Sequence, residues 1–230
     1  MMRYDRQTIL PDIGKEGQAK LKNASVLIVG VGGLGSPIAL YLTAAGIGTL
    51  GIADGDRVSL TNLQRQVLYT EGGLDETKVI CAREKLLSLN SEVTINAYPY
   101  NLTAENAEEI IDLYDIVVDG CDNFATRYLI NDTCVKLGKP YVYGAIYGWE
   151  GQVSVFNHKS GKNYRDLFPD EQAMMSMPSP GKGVIGVTPA ITGSVEATEV
   201  IKLICGAGNL LDGKLWSIDL LTLQSNIISL

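Results

Sequence analysis

The 230-residue sequence predicts an α/β fold, a mainly parallel sheet with helices on both faces, extended at its C-terminal end by antiparallel strands. Three observations predict it. Short continuous apolar runs at Val26–Val29 and Ile116–Val118 read as strands covered on both faces, the condition of a parallel sheet. Helical patterns alternate with these runs. From Glu150 to Asn157 the pattern changes to alternation, Val153 and Val155 against Gln152 and Ser154, as an antiparallel addition shows.

In chain order, the charged segment Arg3-Tyr4-Asp5-Arg6-Gln7 reads on composition as a solvated arm, and Gly14–Asn23 as a short helix with Leu21 as its main apolar contact. Gly30, Gly32 and Gly35 then form G-x-G-x-x-G between the first strand and a helix from Leu34 to Ala45. Such glycines allow a tight turn and let backbone N–H groups approach a phosphate at the positive end of the helix. Gly46 stops that helix. The pattern is that of a Rossmann-like nucleotide fold, with a bare structural turn as the alternative. Gly48–Asp54 reads as the second strand. It ends in Asp54, about twenty residues past the turn, where dinucleotide folds place a carboxylate on the ribose hydroxyls. Asp56 is either a second ligand contact or a turn residue.

The next stretch departs from a dehydrogenase. Thr61-Asn62-Leu63-Gln64-Arg65-Gln66 crowds amides and a guanidinium past the ribose acid, which suits a polyphosphate. Lys78 follows the loop Glu71-Gly72-Gly73 at the start of a helix expected from about Asp75 to Asn90. A lysine there opposes the helix dipole, so it reads as a charge for an anion. Arg65 and Lys78 together point to a triphosphate. Val93–Ala97 reads as a third strand, and Thr103 as the cap of an acidic helix ending at Tyr114. Gly120-Cys121-Asp122-Asn123 lies beyond the strand Asp115–Asp119, where open α/β sheets bind ligands. Asp122 suits Mg²⁺, which keeps phosphates and water as its other ligands. Asp122 or Asn123 also reads as the N-cap of the helix Ala125–Leu137.

Pro140–Ala145 adds a strand. Lys159–Lys182 is a polar loop, with Met174, Met175 and Met177 read as filler over an exposed sheet in preference to a flexible contact surface. Thr188–Ile204 reads as a helix with Ile191, Val195, Thr198 and Ile201 along one face; Leu215–Asp219 and Leu223–Ser229 are strands around a turn. No repeat or linker stands out, so one domain over 1–230 is expected.

Composition narrows the function. The chain is 46% apolar with a net charge of −7, which disfavours nucleic acid or an anionic membrane as its main partner. With no apolar run of membrane length and no apolar signal segment, it is expected in the cytoplasm. The cysteines Cys81, Cys121, Cys134 and Cys205 form no C-x-x-C pair, so neither a disulfide framework nor a zinc knuckle is expected. His158 is the only histidine, which removes multi-histidine metal sites and, unless His158 itself serves, Ser-His-Asp triads and most His-based acid–base schemes.

Arg3-Tyr4 with Arg6-Gln7, Gly30-Val31-Gly32-Gly33-Leu34-Gly35, Asn62-Leu63-Gln64-Arg65-Gln66, Lys78, Asp122-Asn123 and Gly193-Ser194 before Glu196-Ala197-Thr198-Glu199 occur in one order. In that order they resemble the ThiF/MoeB/HesA family, bacterial relatives of ubiquitin-activating enzymes. The resemblance implies adenylation of the C-terminal glycine of a ubiquitin-like sulphur-carrier protein, ThiS-like or MoaD-like, with ATP and Mg²⁺ by a homodimer. It implies that Gly33 and the glycine turn hold ATP, Asp54 the ribose, Asn62, Gln64, Arg65 and Lys78 the phosphates, and Asp122 the metal. It also implies that Arg6 reaches the neighbouring subunit's site. Where many relatives have C-Y-R-C this chain has Asn163-Tyr164-Arg165-Asp166, so the family's structural zinc is expected to be absent. The loop Met177–Lys182 lacks the cysteine that in some members bonds to the carrier. Two other classes stay open: a nicotinamide-dependent oxidoreductase, which leaves Arg65, Lys78 and Asp122 idle, and a non-catalytic adapter that docks a carrier.

Overall fold

The computed structural model describes residues 3–177 and 183–230. The strands are β1 (Ser25–Val29), β2 (Thr49–Ala53), β3 (Thr94–Tyr98), β4 (Ile116–Asp119), β5 (Tyr141–Tyr147), β6 (Glu150–Phe156), β7 (Lys214–Asp219) and β8 (Gln224–Ser229). They form one sheet in the order β3-β2-β1-β4-β5-β6-β7-β8, parallel from β3 to β5 and antiparallel from β5 to β8. The helices are α1 (Asp5–Thr8), α2 (Gly14–Asn23), α3 (Gly35–Ala45), α4 (Lys78–Leu89), α5 (Ala107–Asp112), α6 (Phe124–Leu137), α7 (Tyr164–Leu167), α8 (Glu171–Ser176) and α9 (Val187–Cys205). Alternate residues of the parallel strands feed two cores. Val26, Ile28, Ile52, Val118 and Val142 meet α3, α4 and α9, while Leu27, Val29, Val117, Tyr141 and Tyr143 meet α5 and α6.

Several expectations shift. The N-terminal segment is pinned instead of solvated. Arg3 donates to the Leu89 carbonyl at 3.0 Å, the Tyr4 hydroxyl donates to Glu92 at 3.0 Å, and Gln7 donates to the Ala45 carbonyl at 2.9 Å. α4 begins at Lys78 and not at Asp75, because Asp75 has φ 65° and Thr77 is extended. Thr103 does not cap α5. Asn106 stands before that helix, and its Oδ1 accepts from the Thr103 N–H at 2.8 Å, closing a turn instead.

The polar loop carries α7 and α8; its residues 178–182 lie outside the described ones. Met174 is partly buried, but Met175 and Met177 are more than half exposed, so they are not filler. Asn163 and Asp166, at the two ends of Asn163-Tyr164-Arg165-Asp166, form the capping box of α7. The face of α9 is shifted: Thr188, Thr192, Gly193, Glu196 and Ala197 are buried, Val195 and Ile201 are partly buried against the core, and Ile191 and Thr198 are exposed. The reason is close approach. Gly193 lies against the Leu34 carbonyl, Thr192 against Gly151 and Glu196 against Gly144, where larger side chains have no room. Among the described residues no helix is long and apolar enough to cross a membrane.

Candidate active site

The strand order reverses beside β1, between β2 and β4, and ligands of open α/β sheets bind at such a switch point beyond the strand C-termini. There the protein has a cavity of about 750 Å³, inside the ~300–1,000 Å³ range of small-molecule sites.

Gly30, Gly32 and Gly33 line the cavity. Gly30 has φ +89°, and its Cα packs on the Gly120 carbonyl, so a side chain there is both strained and blocked. Gly35 is not on the cavity wall; it packs on the Gly30 carbonyl and lets α3 start close to the strand. Asp54 braces the turn: Oδ2 accepts from the Val31 N–H and Oδ1 from the Asp56 N–H, each at 2.9 Å. Tyr69 braces it from the other side, donating its hydroxyl to the Val31 carbonyl at 2.7 Å. Burial and the nearby Asp54 push that phenol far above its ordinary pKa, so it stays a donor.

The cations converge on this turn. Lys78, almost wholly buried, donates to Asp56 Oδ2 at 2.8 Å and lies 3.8 Å from Asp54 Oδ2. Asp56 therefore serves as the lysine's partner on the wall. Arg65 lines the cavity and donates Nη1 to the Thr61 carbonyl at 3.0 Å. Thr61, Asn62, Leu63 and Gln64 are not on the wall; they build the turn that presents Arg65. Asn62 Oδ1 accepts from the Ser59 N–H at 3.2 Å, and the Gln64 backbone abuts Gly186.

Asp122 and Asn123 both line the cavity. Asn123 is the N-cap of α6, accepting from the Thr126 N–H at 2.9 Å. Asp122 is exposed and makes no salt bridge among the described residues. Among those residues no group of three or more His, Cys, Asp or Glu converges on a metal. Arg6 is exposed and absent from the wall of its own chain's cavity.

Among the wall residues that sequence reasoning missed are Arg127, Tyr143 and Phe168, whereas Gln66 already stood in the expected polyphosphate cluster. Arg127, buried, donates Nε to Asp119 at 3.0 Å and Nη2 to the carbonyls of Cys121 and Gly144 at 3.1 and 3.2 Å. It ties β4, the Asp122 loop and β5 together. Its signal was a charge in a buried helical stripe, with Ile130, Asn131 and Cys134 at the following 3, 4 and 7 positions. Gln66 stands beside Gly32, buried, with an Oε1 that has no hydrogen-bond partner. A buried amide oxygen without a partner is costly, and it faces a region built for a ligand.

A family model described as the ThiF family matches residues 4–230. The chain belongs to the ThiF family. It is 51% identical over 225 residues to the sulfur carrier protein adenylyltransferase of Thermus thermophilus, covering 95% of this chain and 83% of that protein. It is 50% identical over 218 residues to the adenylyltransferase and sulfurtransferase MOCS3 of Culex quinquefasciatus, of which it spans only 50%. Among solved structures, Escherichia coli MccB with ATP matches 100% of this chain and 71% of its own, with a TM-score of 0.86 at 24% identity. That likeness is one of fold. In this ThiF-family chain the family motifs quoted above therefore divide: the glycine turn, Asp54, Arg65, Lys78, Asp122 and Asn123 meet at one cavity, whereas Thr61–Gln64 stand behind it.

Proposed function

We propose that this chain is an ATP-dependent adenylyltransferase that activates the C-terminal glycine carboxylate of a ubiquitin-like sulphur-carrier protein and releases pyrophosphate. The observation that carries the reading is one cavity holding a glycine turn, Arg65, Lys78 and the exposed carboxylate Asp122. The identity to a sulfur carrier protein adenylyltransferase supports it.

The residues present fit the nucleotide. The glycine turn and the N-terminus of the 11-residue α3 offer backbone N–H groups and a positive dipole end to phosphates. Gln66 Oε1, without a partner among the described residues, can accept from a hydroxyl or amine of the nucleoside. Arg65 and Lys78 neutralise phosphate charge, and Lys78 gives up its contact with Asp56 when a phosphate takes it. Asp122 would supply one carboxylate to Mg²⁺, which when bound would offset charge that develops on the transferring group. The carrier's carboxylate is already ionised at neutral pH and attacks the α-phosphate, so the reaction asks for alignment and charge neutralisation, not a protein base. A chain with one histidine suffices.

The enzyme acts as a homodimer in which Arg6 reaches the partner subunit's site. Its exposure, away from its own cavity, supports that placement. The measurement that tests the function is ATP–pyrophosphate exchange with purified ThiS-like and MoaD-like carriers. Exchange that needs the carrier's terminal glycine is expected with one of them. No exchange with either, combined with tight NAD binding, would overturn the reading in favour of an oxidoreductase.

A further inference from the structure

The helices α7 and α8 stand beside the cavity, and each delivers one apolar side chain to its wall: Phe168 just after α7, and Met174 within α8. Both join Phe124 in one apolar cluster. The two helices are held very differently. α7 is seated by Tyr164, fully buried, whose ring meets Tyr128 and Phe168 at centroid distances of 5.0 Å and whose N–H donates to Asn131 at 2.7 Å. α8 has no buried residue.

Beside the packing of Met174, Arg165 makes the polar connection between α8 and the body of the fold. Its Nε and Nη2 donate to the two oxygens of Asp132 on α6 at 2.8 and 2.6 Å, and Nη2 also donates to Glu171, the first residue of α8, at 2.8 Å. Its guanidinium lies 4.8 Å over the Tyr128 ring, and the Tyr128 hydroxyl donates to the Phe168 carbonyl at 2.8 Å. The Arg165 hydrogen bonds hold the Asp132 carboxyl below its ordinary pKa, so the pair stays ionised at neutral pH. A planar five-donor fork makes this three-way bridge; an ammonium cannot. Yet the side chains of Arg165, Asp132 and Glu171 are 38%, 48% and 41% exposed, so each pair is weak and screened by salt. Such a clamp sets a position without locking it.

We propose that α8 is a flap over the apolar side of the cavity and that Arg165 is the positioning residue that keeps it closed, placing Met174 and Phe168 over the bound nucleotide. The identity of the occupant rests on the ATP reading; the clamp itself does not. Hydrogen exchange on the unliganded protein tests the clamp. Arg165→Met is expected to speed amide exchange in 171–176 at least tenfold while the central strands and α6 stay protected. Glu171→Gln, which leaves α7 seated, is expected to speed exchange in α8 alone, by about two- to fivefold. Arg165→Lys is expected to recover part of the protection, and 0.5 M NaCl to weaken it in the unmodified protein. ATP dissociation, measured by stopped flow, is expected to rise five- to tenfold in Arg165→Met. Unchanged exchange in α8 overturns the clamp. Loss of protection throughout the sheet would make Arg165 a residue of global stability and also overturn it. Faster α8 exchange with unaltered ATP dissociation overturns the covering role. If the unmodified protein binds no ATP, the functional reading fails, and the exchange measurement still decides the clamp.

Discussion

Asp122 and Asn123 are neighbours with separate work. Asn123 caps α6 through the Thr126 N–H, whereas Asp122 is exposed at the cavity. The two roles therefore separate by mutation. Asn123→Ala is expected to cost about 1 kcal/mol of stability, the usual loss for an N-cap. Asp122→Ala is expected to change stability by less than about 0.5 kcal/mol, as for an exposed site, and to reduce ATP–pyrophosphate exchange at least a hundredfold. Urea denaturation beside the exchange assay checks both; an active Asp122→Ala removes the metal-binding role. Lys78 shows why a residue's type is not enough. Its position at the start of α4 pointed to an anion, and burial beside Asp54 and Asp56 now supplies the counter-charges that hold it when no phosphate is present.

At the scale of elements, α9 departs furthest from its sequence pattern and carries a titratable consequence. Glu196 is fully buried against Gly144, and neither carboxyl oxygen has a hydrogen-bond partner among the described residues. Burial, and secondarily the charge of Asp119, push its pKa well above 4.5, with Arg127 opposing. The folded chain therefore keeps the proton that the unfolded chain releases near 4.5. Stability from this site is fully present below that pH and is lost as pH rises toward the folded value, by up to about 1.4 kcal/mol per unit. Glu196→Gln removes the ionisation. The variant is expected to gain stability relative to the unmodified protein on going from pH 5 to pH 8, measured by chemical denaturation at both. Equal pH dependence in the two proteins would show that Glu196 is ionised in the fold.

For the whole molecule, the sharpest test concerns Arg6. If it acts across a two-fold interface, mixing inactive Arg6→Ala with inactive Asp122→Ala is expected to restore up to about a quarter of the activity after subunit exchange. One site of the heterodimer then holds an intact Arg6 from one chain and an intact Asp122 from the other, and a guanidinium delivered in trans stabilises charge on a transferring phosphoryl group. Demonstrated exchange without rescue would place Arg6 within its own chain. The order of strands and helices, the glycine turn with Asp54, and the change from parallel to antiparallel pairing at β5 were legible in the residues. They depend on periodicity, glycine conformation and caps, all of which act over a few positions. The tertiary structure alone decided that Arg127, Phe168 and Met174 join the cavity while Thr61–Gln64 stand behind it. It also decided that α9 buries Thr192, Gly193 and Glu196, because Gly193, Gly151 and Gly144 bring other backbones close there, and that Ile191 is left exposed. How near two distant segments approach is set by the whole packing, and no local pattern in the chain records that distance.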